Sequence, residues 1–115
     1  MAIKRIDPNP TMSRAVENNG VVYLCGLTAD DRSASMKDQT AEILAKIDGY
    51  LAKAGTSKSK LLTATVYVSD MSQKEGMNDA WHAWIDPENP PTRATVGTVL
   101  GTPDTLVEIV VSAAK

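Results

Sequence analysis

Near the end of this 115-residue chain, the sequence LVEIVV predicts a β-strand that is apolar on both faces. Side chains alternate along a strand, so Leu106 and Val110 face one way while Val107, Ile109 and Val111 face the other. An earlier segment, VVYLC, shows the same two-sided pattern. A sheet with two apolar faces must be covered on both, and this requirement limits the folds available to the chain.

Changes of hydrophobic period, and the turn residues between them, divide the chain into six strands and two helices. The expected strands are 3–6, 12–16, 21–25, 61–68, 93–100 and 105–113, and the expected helices are 35–54 and 72–85. The order β-β-β-α-β-α-β-β predicts an α+β fold in a single domain, residues 1–115. Two helices can cover only one face of such a sheet, so we expect a homo-oligomer in which another subunit covers the other face.

Local signals support these boundaries. The tetrapeptide ENNG is typical of a tight turn between two strands. Ser35 followed by Asp38 resembles a capping box, and Ser72 followed by Glu75 matches one at the start of the second helix. Gly55 occupies the position where a helix commonly ends in a left-handed residue.

Charge and composition exclude several classes of function. The net charge of −2 provides no basic surface for nucleic acid or an anionic membrane. One cysteine, Cys25, and one histidine, His82, are too few for a disulfide framework or a typical zinc or histidine-based metal centre. We expect Cys25 to be a buried structural residue and His82 to be solvated. No apolar run approaches the ~20 residues that span a bilayer, and the first ten residues do not resemble a signal peptide. These observations predict a soluble, cytoplasmic protein that does not bind nucleic acid or membranes.

Two charged residues are the strongest candidates for chemistry. Arg93 follows the rigid sequence PPT at the start of a strand, and its planar guanidinium suits a carboxylate ligand. The alternative is a surface arginine at a strand end. Glu108 lies within the apolar strand, where it is either solvent-exposed or buried with a partner. If a turn over 101–104 joins the last two strands as a hairpin, Gly97 lies opposite Glu108 and leaves space beside the carboxylate.

Three segments resemble the RidA (YjgF) family, once called the L-PSP endoribonuclease family. They are MSRAVENNGVVYLCG, QTAEILAKIDGYLAKAGTSKSKLLTATVYVSDM and PPTRATVGTVLGTPDTLVEIVVSAA, in the family's order and over nearly the whole chain. The resemblance implies a chorismate-mutase-like fold that assembles as a homotrimer with three pockets between subunits.

The resemblance also implies an activity, the cofactor-independent hydrolysis of reactive enamines and imines to 2-keto acids and ammonia. Typical substrates are 2-aminoacrylate and 2-iminopropanoate. By match of motif, Arg93 would hold the substrate carboxylate, and Glu108 would be the pocket glutamate that positions water. Gly26 matches a position near the pocket, and Asn78 matches a structural position near it.

Some positions depart from the family pattern. Met12 replaces a common tyrosine and Leu27 a common glutamine, and Gly97 replaces a glutamate. Met12, Leu27 and Thr95 are nevertheless predicted to bind substrate with Arg93 and Gly26. These departures leave the substrate range open and allow a larger or more apolar imine.

Three alternative functions are weighed against the deaminase. A non-catalytic protein of the same fold could bind a small carboxylate and regulate a partner. A chorismate-mutase-like reaction would need several cations around a dicarboxylate, and Arg93 is the only obvious one. RNA cleavage, suggested by the older family name, is disfavoured by the net charge of −2.

Overall fold

Six strands form one sheet in the computed structural model, which describes residues 2–115. The strands are β1 (Lys4–Pro8), β2 (Ser13–Asn18), β3 (Val21–Leu24), β4 (Leu61–Val68), β5 (Thr92–Gly97) and β6 (Val107–Ala114). The helices are α1 (Met36–Lys53) and α2 (Lys74–Trp84), and short 3₁₀ turns lie at Lys58–Lys60 and Met71–Gln73. The α+β class and the predicted order of strands and α-helices are confirmed.

The spatial order of the strands is β1-β2-β3-β6-β4-β5. All neighbouring strands are antiparallel except β4 and β5, which are parallel and joined through α2. The predicted β5–β6 hairpin is therefore wrong, and Gly97 does not lie opposite Glu108. Gly97 pairs with Val68, and Glu108 pairs with Tyr67. The helical crossover carries β5 to the outer edge, and residues 98–106 then return the chain to the middle of the sheet.

The core lies between one face of the sheet and the two helices. Val107, Ile109 and Val111 of β6 are each 3% exposed or less on this face. The predicted apolar stripe of α1 packs into the same core through Ile43, Leu44, Ile47 and Leu51. Burial of each such side chain contributes about 1.5–3 kcal/mol, so this layer is the main source of stability.

The other face of the sheet carries no helix within residues 2–115. Tyr23 and Val96 point from it with 51% and 39% of their surface exposed, and Tyr67 and Val110 are half-buried there. The expectation that two helices cover only one face is thus confirmed. We refer to this uncovered surface as the open face.

The ends of α1 match the sequence signals. The side chain of Ser35 accepts a hydrogen bond from the Asp38 N–H at 3.2 Å. At the other end Gly55 has φ 80°, and the Thr56 N–H donates to the Leu51 carbonyl at 2.9 Å. The turn in ENNG is also confirmed, with Asn19 in the left-handed region at φ 51°.

The predicted capping box of the second helix is wrong. Asp70 caps this region instead, because its carboxylate accepts from the Ser72 N–H at 3.0 Å and from the Ser72 hydroxyl at 2.7 Å. These bonds lower the pKa of Asp70 and build a 3₁₀ turn, so that α2 begins only at Lys74. Within the described residues, neither helix is long and apolar enough to cross a membrane.

Replacement of Gly55 by alanine should destabilise the protein by about 1 kcal/mol, because alanine is strained at a φ of 80°. Gly49 provides the matched control, since it lies within α1 and a Cβ there would meet nothing within 4 Å. Gly49→Ala should stabilise the helix by about 0.5–1 kcal/mol. Urea unfolding midpoints measure both effects. Equal midpoints for the two variants would contradict the assigned end of α1.

Candidate functional site

Glu108 and Gly26 are in close contact. A Cβ atom added to Gly26 would lie 2.5 Å from Oε2 of Glu108, so only glycine leaves this carboxylate in its place. Within residues 2–115 the Gly26 N–H makes no hydrogen bond. The half-buried carboxylate of Glu108 is a hydrogen-bond acceptor, and the backbone N–H of the adjacent Gly26 is a free hydrogen-bond donor. This pair can bind a water molecule or a polar ligand.

The residue after Gly26 fixes its position. Leu27 and Ile109 exchange two backbone hydrogen bonds, of 3.0 and 3.1 Å, which attach the segment after β3 to β6. The Leu27 side chain is only 5% exposed and belongs to the core. Sequence reasoning predicted Leu27 as a substrate contact, and in the structure its backbone holds Gly26 against Glu108.

Arg93 is held by α2. Its Cζ lies 5.3 Å from the centre of the Trp81 ring, and its Nη1 lies 3.8 Å from the Met77 sulfur. Such a cation–π contact holds the guanidinium beside the ring. No carboxylate within the described part of the chain lies within 4 Å of Arg93. Its remaining N–H donors are therefore available to an anionic ligand.

Arg93 and Glu108 of the same chain do not lie close together. Arg93 pairs with Ala64, a buried residue on the helix-covered face. Glu108 pairs with Tyr67, which points to the open face. The two charged groups thus project from opposite faces of the same sheet.

The other predicted site residues lie in several parts of the fold. Thr95 lies on β5 two residues beyond Arg93, on the same face, and is half-buried. Asn78 lies on α2, and its buried Oδ1 has no hydrogen-bond partner within residues 2–115. An unpaired buried oxygen costs about 1–3 kcal/mol, so a donor from outside the chain would stabilise it. Met12 precedes β2 and is 40% exposed.

A cavity of about 480 Å³ lies between α1 and the segment that follows β3. Its wall includes Gly26 and Leu27 from the predicted site and several charged residues. The lining residues are Arg14, Gly26, Leu27, Thr28, Asp30, Lys46, Gly49, Tyr50 and Lys53. We refer to it as the Arg14 cavity.

The two lysines of the Arg14 cavity are already paired with carboxylates. Lys46 Nζ lies 2.8 Å from Asp30 Oδ1, and Lys53 Nζ lies 2.8 Å from Asp7 Oδ2. The bond from Asp7 raises the pKa of Lys53. Both lysines are thus charged and already engaged in ion pairs with neighbouring carboxylates.

Arg14 differs from these lysines, because no carboxylate of residues 2–115 lies within 4 Å of its guanidinium. Its Nη1 is 4.0 Å from the Cys25 sulfur, and this contact is the main cause of a raised pKa of Arg14. Sequence reasoning missed this residue. The ENNG turn could have identified it. This turn sets the strand register with Asn18 opposite Val21, and the same register places Arg14 opposite Cys25, the residue before Gly26.

His82 is exposed, as predicted, whereas Cys25 is half-buried at the edge of the core and not fully buried. Among the residues that the structure describes, no three histidine, cysteine, aspartate or glutamate side chains are grouped to hold a metal ion.

Comparison with known proteins identifies the family. The model of the family described as endoribonuclease L-PSP matches residues 2–115. The chain belongs to the endoribonuclease L-PSP family. It is 42% identical over 112 residues to a RutC family protein of Haemophilus ducreyi, covering 97% of this chain and 96% of that protein. It is 39% identical over 114 residues to the RutC family protein YoaB of Escherichia coli, covering 99% of each.

Solved structures of YjgF and Rid family proteins have the same fold. A YjgF family member from Neisseria meningitidis superposes with a TM-score of 0.96 at 36% identity, covering 100% of this chain and 96% of that one. A Rid family protein from Yersinia pestis gives a TM-score of 0.89 at 26% identity, covering 99% and 100%. The family and fold expected from the sequence are confirmed.

Gly26→Ala should displace the Glu108 carboxylate, because the new Cβ would lie 2.5 Å from Oε2. Gly97→Ala is the matched control, since its Cβ would meet only Met71, at 3.5 Å or more. A crystal structure of each variant measures the position of the carboxylate. We expect a changed Glu108 rotamer in the first variant and an unchanged one in the second; the reverse result would show that the assigned register is wrong.

Proposed function

We propose that this protein hydrolyses reactive 2-imino and 2-enamino acids, of the 2-iminopropanoate and 2-aminoacrylate type, to 2-keto acids and ammonia. One observation carries the proposal. An arginine with free donors and a carboxylate beside an unpaired N–H occupy the two positions that the family resemblance assigns to the site. Membership of the L-PSP family supports the same assignment.

The reaction needs only water as a co-reactant. An enamine first becomes its imine tautomer, and the carbon of the protonated imine is already electrophilic. Water adds to this carbon as Glu108 accepts a proton from it, and the proton passes to the nitrogen. The C–N bond then breaks as the C=O bond forms, so iminium and water yield a 2-keto acid and ammonium. The atoms and charges balance without an oxidant or a nucleophilic side chain.

In this proposal Arg93 binds and orients the substrate. Its planar guanidinium can donate two parallel hydrogen bonds to the carboxylate next to the imine carbon. Trp81 and Met77 hold the guanidinium in place, so little side-chain freedom is lost on binding. The Gly26 N–H is positioned to donate to the water or to the substrate. Orientation of water and imine supplies most of the rate gain.

A second copy of the chain would complete the site. Arg93 and Glu108 point from opposite faces, so an Arg93 from one subunit must meet a Glu108 from another. The exposed Tyr23 and Val96 on the open face favour such a contact. We propose a homotrimer with its sites between subunits, in which a group from outside the chain can also pair with the buried Asn78 oxygen.

Replacement of Arg93 or Glu108 should remove the activity. An amino-acid oxidase generates the imine, and semicarbazide trapping reports its loss. We expect Arg93→Ala to lower kcat/KM about 10- to 100-fold and Glu108→Gln about 100-fold or more. Arg5→Ala, an exposed β1 residue, and Glu75→Gln, an exposed α2 residue, should retain wild-type rates. Wild-type rates for Glu108→Gln would exclude its proposed role.

The same assay distinguishes the main alternative. If wild type accelerates the loss of no imine but binds small carboxylates in an Arg93-dependent manner, the protein is a non-catalytic carboxylate-binding module.

Mixing the two inactive variants tests the shared site. When Arg93→Ala and Glu108→Gln chains are unfolded and refolded together in equal amounts, about a quarter of the sites combine an intact Arg93 with an intact Glu108. We therefore expect about a quarter of the wild-type activity in the mixture. Each variant refolded alone is the control. If the mixture is no more active than the mean of the two variants refolded alone, the Arg93 and Glu108 of each site belong to the same chain.

A further inference from the structure

We propose that the Arg14 cavity receives a second anionic group of the substrate. Arg14 would then select 2-imino acids whose side chain carries a carboxylate, such as the imines of aspartate and glutamate. This inference rests on the proposed hydrolysis, because the cavity is treated as an extension of that site.

Gly26 connects the Arg14 cavity to Glu108. Arg14 and Cys25 are neighbours across the β2–β3 hairpin, where the Cys25 N–H donates to the Arg14 carbonyl at 2.9 Å. The next residue is Gly26, which both lines the cavity and contacts the Glu108 carboxylate. Gly26 thus borders both the Glu108 carboxylate and the Arg14 cavity, and a ligand bound at this glycine can extend a polar group into the cavity.

The charges around the cavity favour an anion at Arg14 and not elsewhere. Lys46 already donates to the Thr28 carbonyl and to Asp30, each at 2.8 Å. Lys53 is paired with Asp7. Asp30, the carboxylate of the cavity lining, is therefore already paired with a lysine, and Arg14 is the one lining cation without a carboxylate partner in the described part of the chain. A bound carboxylate would compensate Arg14 without breaking an existing ion pair.

Two further features suit a polar ligand. Tyr50 of α1 also lines the cavity, and its hydroxyl makes no hydrogen bond within residues 2–115, so this donor is free. Arg14 itself is exposed and has five N–H donors, of which only one approaches a neighbour, the Cys25 sulfur.

This substrate class differs from the larger or more apolar imine that the departures from the family pattern allow. In the structure Met12 does not line the cavity, and the Leu27 side chain is 5% exposed within the core. Neither side chain therefore presents a large apolar surface to a ligand there. Arg14 dominates the chemistry of the cavity instead.

The test compares imines of matched backbone and different side-chain charge. D-Amino-acid oxidase supplies the imine of alanine, and D-aspartate oxidase supplies those of aspartate and glutamate. Each is offered to wild type, Arg14→Gln, Arg14→Lys and the control Arg5→Gln, an exposed arginine on β1 that does not line the cavity. Calorimetry with 2-oxoglutarate and 2-oxobutyrate measures binding independently of turnover.

We expect wild type to hydrolyse the dicarboxylic imines with the higher kcat/KM. Arg14→Gln should lower this value about 10-fold while changing the alanine imine by less than about 2-fold, and Arg14→Lys should recover part of the loss. Arg5→Gln should match wild type. A selectivity that Arg14→Gln leaves unchanged overturns the inference.

The two proposals fail separately. Hydrolysis of the alanine imine alone, with no preference for 2-oxoglutarate, would overturn the role of Arg14 and leave the deaminase intact. If no imine is hydrolysed, but 2-oxoglutarate binds more tightly than 2-oxobutyrate and the difference disappears in Arg14→Gln, the deaminase fails and the anion-binding cavity stands. Weak and equal binding of both keto acids, unaffected by Arg14→Gln, would overturn the cavity assignment whatever the turnover.

Discussion

The central position of β6 decides where both the core and the candidate site lie. This strand is hydrogen-bonded to a neighbour on each edge, so its side chains can point only to the two faces of the sheet. Ile109 and its alternate neighbours fill the core, and Glu108 is necessarily directed to the open face. A shift of register by one residue would bury this carboxylate and expose Ile109, at a cost far beyond that of any single surface contact. The packing of the core therefore also fixes the position of the functional carboxylate.

The topology of the second half of the chain separates the two charged groups. The crossover through α2 places β5 parallel to β4 at the sheet edge, where Trp81 and Met77 hold Arg93 on the helix-covered side. Glu108 lies on the other side, with the exposed part of the sheet. A chain with only two helices leaves that face open, and the same surface that needs a partner carries half of the proposed site. Assembly and catalysis are thus linked in the proposed function.

The basic residues near the candidate site divide by chemistry. Lys46 and Lys53 form ion pairs at 2.8 Å with aspartates of neighbouring segments, whereas Arg93 and Arg14 contact sulfur or aromatic groups and have no carboxylate partner in residues 2–115. Guanidinium groups suit bidentate recognition of carboxylates, and a lysine acts more as a point charge. Two arginines with free donors can bind the two carboxylates of one ligand. This difference between the unpaired arginines and the paired lysines is the basis for the substrate class inferred for the Arg14 cavity.

The sequence by itself determined the α+β class, the element order, the apolar stripe of α1 and the turn in ENNG, because each depends on local periodicity or local backbone preference. It also indicated the family, through the resemblance of three long segments. It also identified Glu108 and Arg93 as candidates. It did not determine that β6 enters between β3 and β4, that Gly26 and not Gly97 accommodates the Glu108 carboxylate, or that Arg14 lines a cavity beside it. Those contacts join residues far apart in the chain. Only the tertiary structure decided them, since strand order depends on how the helices cover the sheet and not on any local pattern.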